Sequence, residues 1–251
     1  MDRVVAALED QQVELTHLVA GLDEAGWQAP SRCEGWSVAD VLLHLAQTNE
    51  MALASLEHRL PAFLDAAYAG LPPGSSVDEG AALLVDRERG APPAEVLARW
   101  QGGAAALLAA FEAADLRERV TWVAGDLTAR TLATTRLAET WIHTGDIAAG
   151  LGVELVPTDR LWHVARLAWR TLPYAFAQAG RALSGPVRFE LRAPSGDTWV
   201  FSGDDEPLTT LSGDAAELCL VAGRRLVGAE SRLRAEGPDA DAVLDLVRTF
   251  A

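Results

Sequence analysis

The chain has no lysine: all 21 of its basic residues are arginine, against 36 acidic ones, for a net charge of −15. The missing lysine reads as a bias toward GC-rich codons. The acidic balance excludes the clustered basic face that phosphate contacts need, so a nucleic-acid binder is not expected. Only two cysteines occur, Cys33 and Cys219, far apart and without metal spacing. That excludes a disulfide framework and fits a cytoplasmic setting. No apolar run approaches the roughly 20 residues of a membrane span, and the N-terminus MDRVVAALEDQQ lacks the apolar core of a secretory signal. What remains is 251 residues at 49% hydrophobic composition, enough for one large core or two modest ones.

Helical periodicity dominates the first two thirds. Apolar positions from Val4 to Leu22 predict a first amphipathic helix. Ser37 and Asp40 form a variant capping box that opens a second, ending where Pro61 forbids continuation. A looser Gly/Pro/Ser stretch from Tyr68 to Pro93 is expected to be a long loop carrying a short helix. Ala94 to about Ala114 is a third helix, with Gly102-Gly103 as a weak point. The fourth is entered through a cap at Thr128 or Thr131 and closed by Gly150 and Gly152. A further helix, Arg160 to about Ala179, carries Pro173, which should kink or divide it. From Gly185 the period changes to two: Val187–Arg192 and Thr198–Phe201 read as a hairpin, and Leu208–Leu211 and Ser231–Ala235 as further strands. A short helix, Ala215–Ala222, lies between those two strands, and a last one is expected over Asp239–Phe250. Helices followed by strands predict two domains, a helical bundle over 1–182 and a small α+β domain over 183–251.

The chemistry concentrates in Arg136–Gly152, RLAETWIHTGDIAAGLG. Glu139 and His143 are four apart, so on a helix they share a face, and Arg136 and Asp146 extend that face by three residues each way. Leu137, Ala138, Trp141, Ile142 and Ile147 surround the stripe with apolar surface, which points it at an interior. A buried charge there must be paired or hold a metal. The second helix offers a third ligand, His44, on a stripe of small or polar neighbours. Two histidines and one carboxylate from two helices suit a zinc ion with an open position, and helix bundles build such sites from facing side chains. On the residues alone the quieter alternative stays open, in which Glu139 pairs with Arg136 and both histidines are ordinary. The remaining histidines, His17, His58 and His163, are expected to be structural or solvent-facing. Cys33, next to Glu34 near a helix start, leaves room for a catalytic thiolate, but a quiet, partly buried thiol is the expected reading.

The blocks Glu34-Gly-Trp-Ser-Val-Ala-Asp-Val-Leu-Leu-His44-Leu-Ala46 and Arg136-Leu-Ala-Glu139-Thr-Trp-Ile-His143-Thr-Gly-Asp146-Ile, with Leu151-Gly152, resemble the mycothiol-dependent maleylpyruvate isomerase family. These are DinB-like metal-binding four-helix bundles with an appended sterol-carrier-like domain. The resemblance implies zinc ligation by His44, Glu139 and His143, and matches Arg224, in the Gly223-Arg224 step, to an arginine that contributes to the active site. Pro157–Arg160, His163–Ala165 and Glu190–Gly196 are similar to an actinobacterial subgroup. The implied activity is a zinc-dependent S-transferase or isomerase, with mycothiol or a similar thiol as cosubstrate and a small electrophile as substrate. Arg136 would steady a substrate carboxylate or the thiol, and Asp146 would orient a ligand. Another divalent metal is compatible with the same donors. The alternatives are a hydrolase or hydratase whose metal activates water, and a non-catalytic ligand carrier. The oligomeric state expected is monomer or homodimer.

Overall fold

The computed structural model describes residues 2–70, 76–123 and 125–249. The chain divides into two compact units, 1–155 and 156–251.

The first unit is built on four long helices: α1 (Arg3–Val19), α3 (Val38–Leu56), α6 (Pro93–Ala113) and α7 (Ala129–Leu151). Helix α1 packs on α6 and α7, and α3 packs on the same two, which closes a four-helix bundle. Short helices α2 (Glu24–Gln28), α4 (Leu60–Ala67) and α5 (Val77–Glu88) decorate it, and a two-stranded ribbon, β1 (Arg119–Val120) with β2 (Leu127–Thr128), leads into α7. The core is aliphatic with large anchors: Leu15, Leu42, Leu45 and Trp100 are all buried in one cluster.

The ends of the two site-bearing helices are fixed by local chemistry. At α3 the expected capping box is present: Asp40 N donates to Ser37 Oγ (3.2 Å) and Ser37 N donates to Asp40 Oδ2 (2.9 Å). At α7 the Thr128 hydroxyl accepts from Thr131 N, and Gly152 ends the helix at φ 68°, which a side chain would resist.

Several expectations change. Pro61 ends nothing: it lies in the first turn of α4, where its missing N–H costs no hydrogen bond. The stretch expected to be a long loop with a short helix does carry one, the three-turn α5, whose Ser76 and Glu79 form a second capping box. Of the Leu71–Ser76 turn, residues 71–75 lie outside the described residues. Gly102-Gly103 does not interrupt α6.

The second unit contains α8 (Leu161–Gln178), α9 (Ala215–Ala222), α10 (Ala240–Leu246) and a four-stranded sheet. Its strands are β3 (Val187–Arg192), β4 (Thr198–Phe201), β5 (Thr209–Asp214) and β6 (Arg234–Glu236), in the order β4-β3-β5-β6. The predicted hairpin pairs Phe189 with Phe201 and Arg192 with Thr198; β3 runs parallel to β5, and β6 is antiparallel to it. Along β3, Val187, Phe189 and Leu191 are buried while the residues between them are not, as a sheet with one covered face requires. Helix α8 packs on α9, α10 and β4, so it belongs to this unit, and the division falls at 155/156 instead of the expected 182/183. Pro173 sits inside α8 without dividing it. The last helix ends at Leu246, and Phe250 lies outside the described residues.

Candidate metal centre

Helices α3 and α7 pack against each other, and their facing sides carry the polar stripes. His44 is 7%, Glu139 7% and His143 8% exposed. Glu139 Oε1 lies 2.9 Å from His44 Nε2 and 3.4 Å from His143 Nε2. The two imidazoles meet edge to face with centroids 4.9 Å apart. One ligand atom from each of the three residues lies within 4.8 Å of the other two. Two ring nitrogens thus aim at one carboxylate oxygen from two different helices.

The surrounding groups fix this arrangement. Asp146 Oδ2 lies 2.9 Å from His143 Nδ1, and Asp146 is fully buried. A bond at Nδ1 turns the other nitrogen, Nε2, toward Glu139 and decides which nitrogen could meet a metal. On the α3 side the Trp36 ring packs 5.3 Å from the His44 ring. Arg136, 2% exposed, donates from Nη2 to Thr48 Oγ1 (2.8 Å), and its Nε has no hydrogen-bond partner among the described residues. Thr48 stands one turn after His44, and Arg136 one turn before Glu139, so this contact lies a single helical turn from the trio.

Charge is divided unequally among the three. Burial opposes ionisation of Glu139, but hydrogen bonds from His143 and His44, followed by the charges of His143 and Arg136, hold its carboxyl well below the usual carboxylate range. Burial also opposes a charge on His143, yet bonds to Asp146, Cys33 and Glu139 hold it well above an ordinary histidine. His44 moves the other way, pushed down by burial more than its bond to Glu139 restores. An anionic oxygen with protons held against it by two imidazoles is an arrangement in which a divalent cation can replace those protons. Two nitrogens and one oxygen, converging from rigid helices, fit zinc with a position left over.

Of the residues singled out from sequence, the structure brings together His44, Glu139, His143, Asp146 and Arg136. Arg224 belongs to the chain's second unit, where it is exposed just after α9, in the left-handed region at φ 59°. Sequence reasoning set Cys33 aside as a quiet thiol and missed the contacts it makes. Its Sγ lies 3.2 Å from Asp146 Oδ2 and 3.7 Å from His143 Nδ1, on the side of the ring away from Glu139. The available signal was its place three residues before Trp36, at the entry to the helix that carries His44. A cavity of about 540 Å³ is lined by Cys33 and Trp36 together with Ser37, Asp40 and Arg89, and by none of the three candidate ligands.

Comparison with known proteins gives the family and the fold. Two uncharacterized proteins from two strains of Mycobacterium tuberculosis are each 32% identical over 250 residues, covering 98% of this chain and 95% of theirs. Crystal structures of a mycothiol-dependent maleylpyruvate isomerase and of a mutant of that enzyme share its fold, with TM-scores of 0.59 and 0.60. Each is 19% identical, and the match covers 94% of either chain. The description "Mycothiol maleylpyruvate isomerase N-terminal domain" matches residues 8–148, the segment that holds every side chain of the trio. With more than half its length matched, and with whole-length relatives, the chain belongs to the mycothiol maleylpyruvate isomerase N-terminal domain family.

Proposed function

We propose that this protein is a zinc-dependent enzyme that uses a low-molecular-weight thiol of the mycothiol kind to isomerise, or add sulfur to, a small electrophile. The observation that carries the reading is the buried convergence of His44, Glu139 and His143 on one point. The family and the named activity of the structural relatives support the choice of thiol chemistry.

His44 and His143 would hold the ion through Nε2 and Glu139 through Oε1. Zinc in that place would supply the Lewis acidity that keeps a thiol sulfur ionised near neutral pH, where a free thiol with a pKa of about 8.5 is mostly protonated. The chain's own groups do the rest. Asp146 fixes the His143 tautomer. Glu139 keeps its negative charge, and Arg136 places a buried positive charge one turn away with an Nε donor still unused, suited to a carboxylate or to the anionic sulfur. Trp36 covers the His44 ring. Arg224, which the sequence resemblance matches to an active-site arginine, would steady the substrate.

Reversible addition of the thiol across a carbon–carbon double bond, rotation about the resulting single bond and loss of the same thiol change the geometry of the substrate and return the thiol. A substrate that cannot expel the sulfur leaves as a thioether. The test is turnover by zinc-loaded full-length protein of maleylpyruvate, and of monochlorobimane as a generic electrophile, with and without mycothiol. The reading expects product only when zinc and thiol are both present. Equal turnover without thiol, or after chelation, contradicts it.

A further inference from the structure

The loop between α2 and α3 reaches both histidines of the trio. Pro30 pairs with Ser37 in an isolated bridge, Ser31 N donates to Trp36 O (2.9 Å) and Trp36 N donates to Cys33 O (3.0 Å), which makes the loop a closed, tied turn. It is seated on the C-terminal part of α7: Arg32 N donates to the Asp146 carbonyl (3.1 Å), and the bare face of Gly150 meets the Pro30 carbonyl and Ser31, where a Cβ would collide. From this seat the loop delivers Trp36 onto His44 and Cys33 onto Asp146 and His143.

Cys33 touches the oxygen that matters. Oδ2 of Asp146 is the atom bonded to His143 Nδ1, and the Cys33 thiol donates to that same oxygen. A buried carboxylate needs donors for its remaining lone pairs, and without them its orientation loosens. Because the thiol lies against Nδ1, it cannot also reach an ion held at Nε2; it acts on the metal through Asp146 and the ring. We propose that Cys33 is a positioning residue of the metal centre. Its thiol pins the Asp146 carboxylate, and so holds the His143 ring with Nε2 turned toward Glu139. This rests on the zinc reading above.

The consequence is a metal affinity that depends on a donor at position 33. Partners of this outer kind typically change metal affinity by about 10–100-fold, and a thiol is a weak donor one bond further out, so the low end is expected, about tenfold. The experiment is zinc titration against a competing chelator for full-length wild type, Cys33→Ala and Cys33→Ser, with urea unfolding of the metal-free forms alongside. The expected result is zinc bound about tenfold more weakly by the alanine variant and restored to within about threefold by serine, whose hydroxyl can donate to Asp146. The metal-free unfolding midpoints should stay close to wild type, since a merely structural role would move those instead.

An alanine variant that binds zinc as tightly as wild type overturns the proposal. So does serine as weak as alanine. A sulfur-to-metal charge-transfer band in cobalt-substituted wild type that Cys33→Ala abolishes would make Cys33 a ligand, which also overturns it. Failure of wild type itself to bind zinc would bring down the metal reading as a whole, and is distinguished from the other outcomes by the wild-type titration.

Discussion

Two buried carboxylates, one in each unit, show how differently a core can hold an acid. In the second unit Asp239 is 5% exposed and accepts from Ser184 N (2.7 Å) and Ser184 Oγ (2.9 Å), while its own N–H donates to Thr209 Oγ1 (3.2 Å). The donors to its carboxylate are a backbone amide and a hydroxyl, groups that keep their protons at any ordinary pH. It ties two distant chain segments together, and that is sufficient reason for its burial. Glu139 in the first unit is as deeply buried, but its partners are two imidazoles whose protons a cation can displace. Burial alone does not mark a site. What distinguishes one is a buried charge whose satisfaction comes from groups that can exchange it for something else.

The largest test of that contrast is at Glu139 itself. Glu139→Gln keeps the shape and removes the charge, and should weaken zinc binding by more than about 100-fold, beyond the range for losing an outer partner. Chelator competition reads this directly. Asp146→Ala, which frees the His143 ring while leaving all three ligands, should cost about 10–100-fold in the same titration. Asp239→Ala should behave in the opposite way. It orphans the Ser184 amide and should cost about 2–3 kcal/mol in urea unfolding, with zinc affinity unchanged. A loss of metal on removing Asp239 would blur the distinction between the two acids. The smallest effect is expected from Ser37→Ala, which removes the cap at the start of α3 and should cost about 1 kcal/mol of stability while leaving zinc affinity within a few-fold.

Much of the first unit was legible because its signals are local. The i, i+4 spacing of Glu139 and His143 lies within α7, the cap at Thr128 and the stop at Gly152 flank it, and the capping box at Ser37 places the start of α3, though not its end at Leu56. His44 could be picked out because its stripe is small and polar. Where a signal was local but ambiguous, the reading failed: Pro61 is equally at home after a helix or in the first turn of one, and Gly and Pro around residues 71–75 drew attention from the Ser76/Glu79 box that starts α5. Pairings between distant segments were out of reach. The parallel register of β3 with β5, the membership of α8 in the second unit and the contact of Cys33 with Asp146 are separated by tens of residues. No periodicity reports which face a helix shares with a strand that follows it, or onto which helix a loop folds back.

The central claim is that His44, Glu139 and His143 form one metal site, and the most direct measurement is metal content by elemental analysis of full-length protein. Wild type is compared with His44→Ala, Glu139→Ala and His143→Ala, each checked for its helical circular dichroism. The account predicts about one zinc per chain in wild type after zinc loading and little in any of the three folded variants. Wild type that takes up no divalent metal, or variants that retain it in full, would contradict the account.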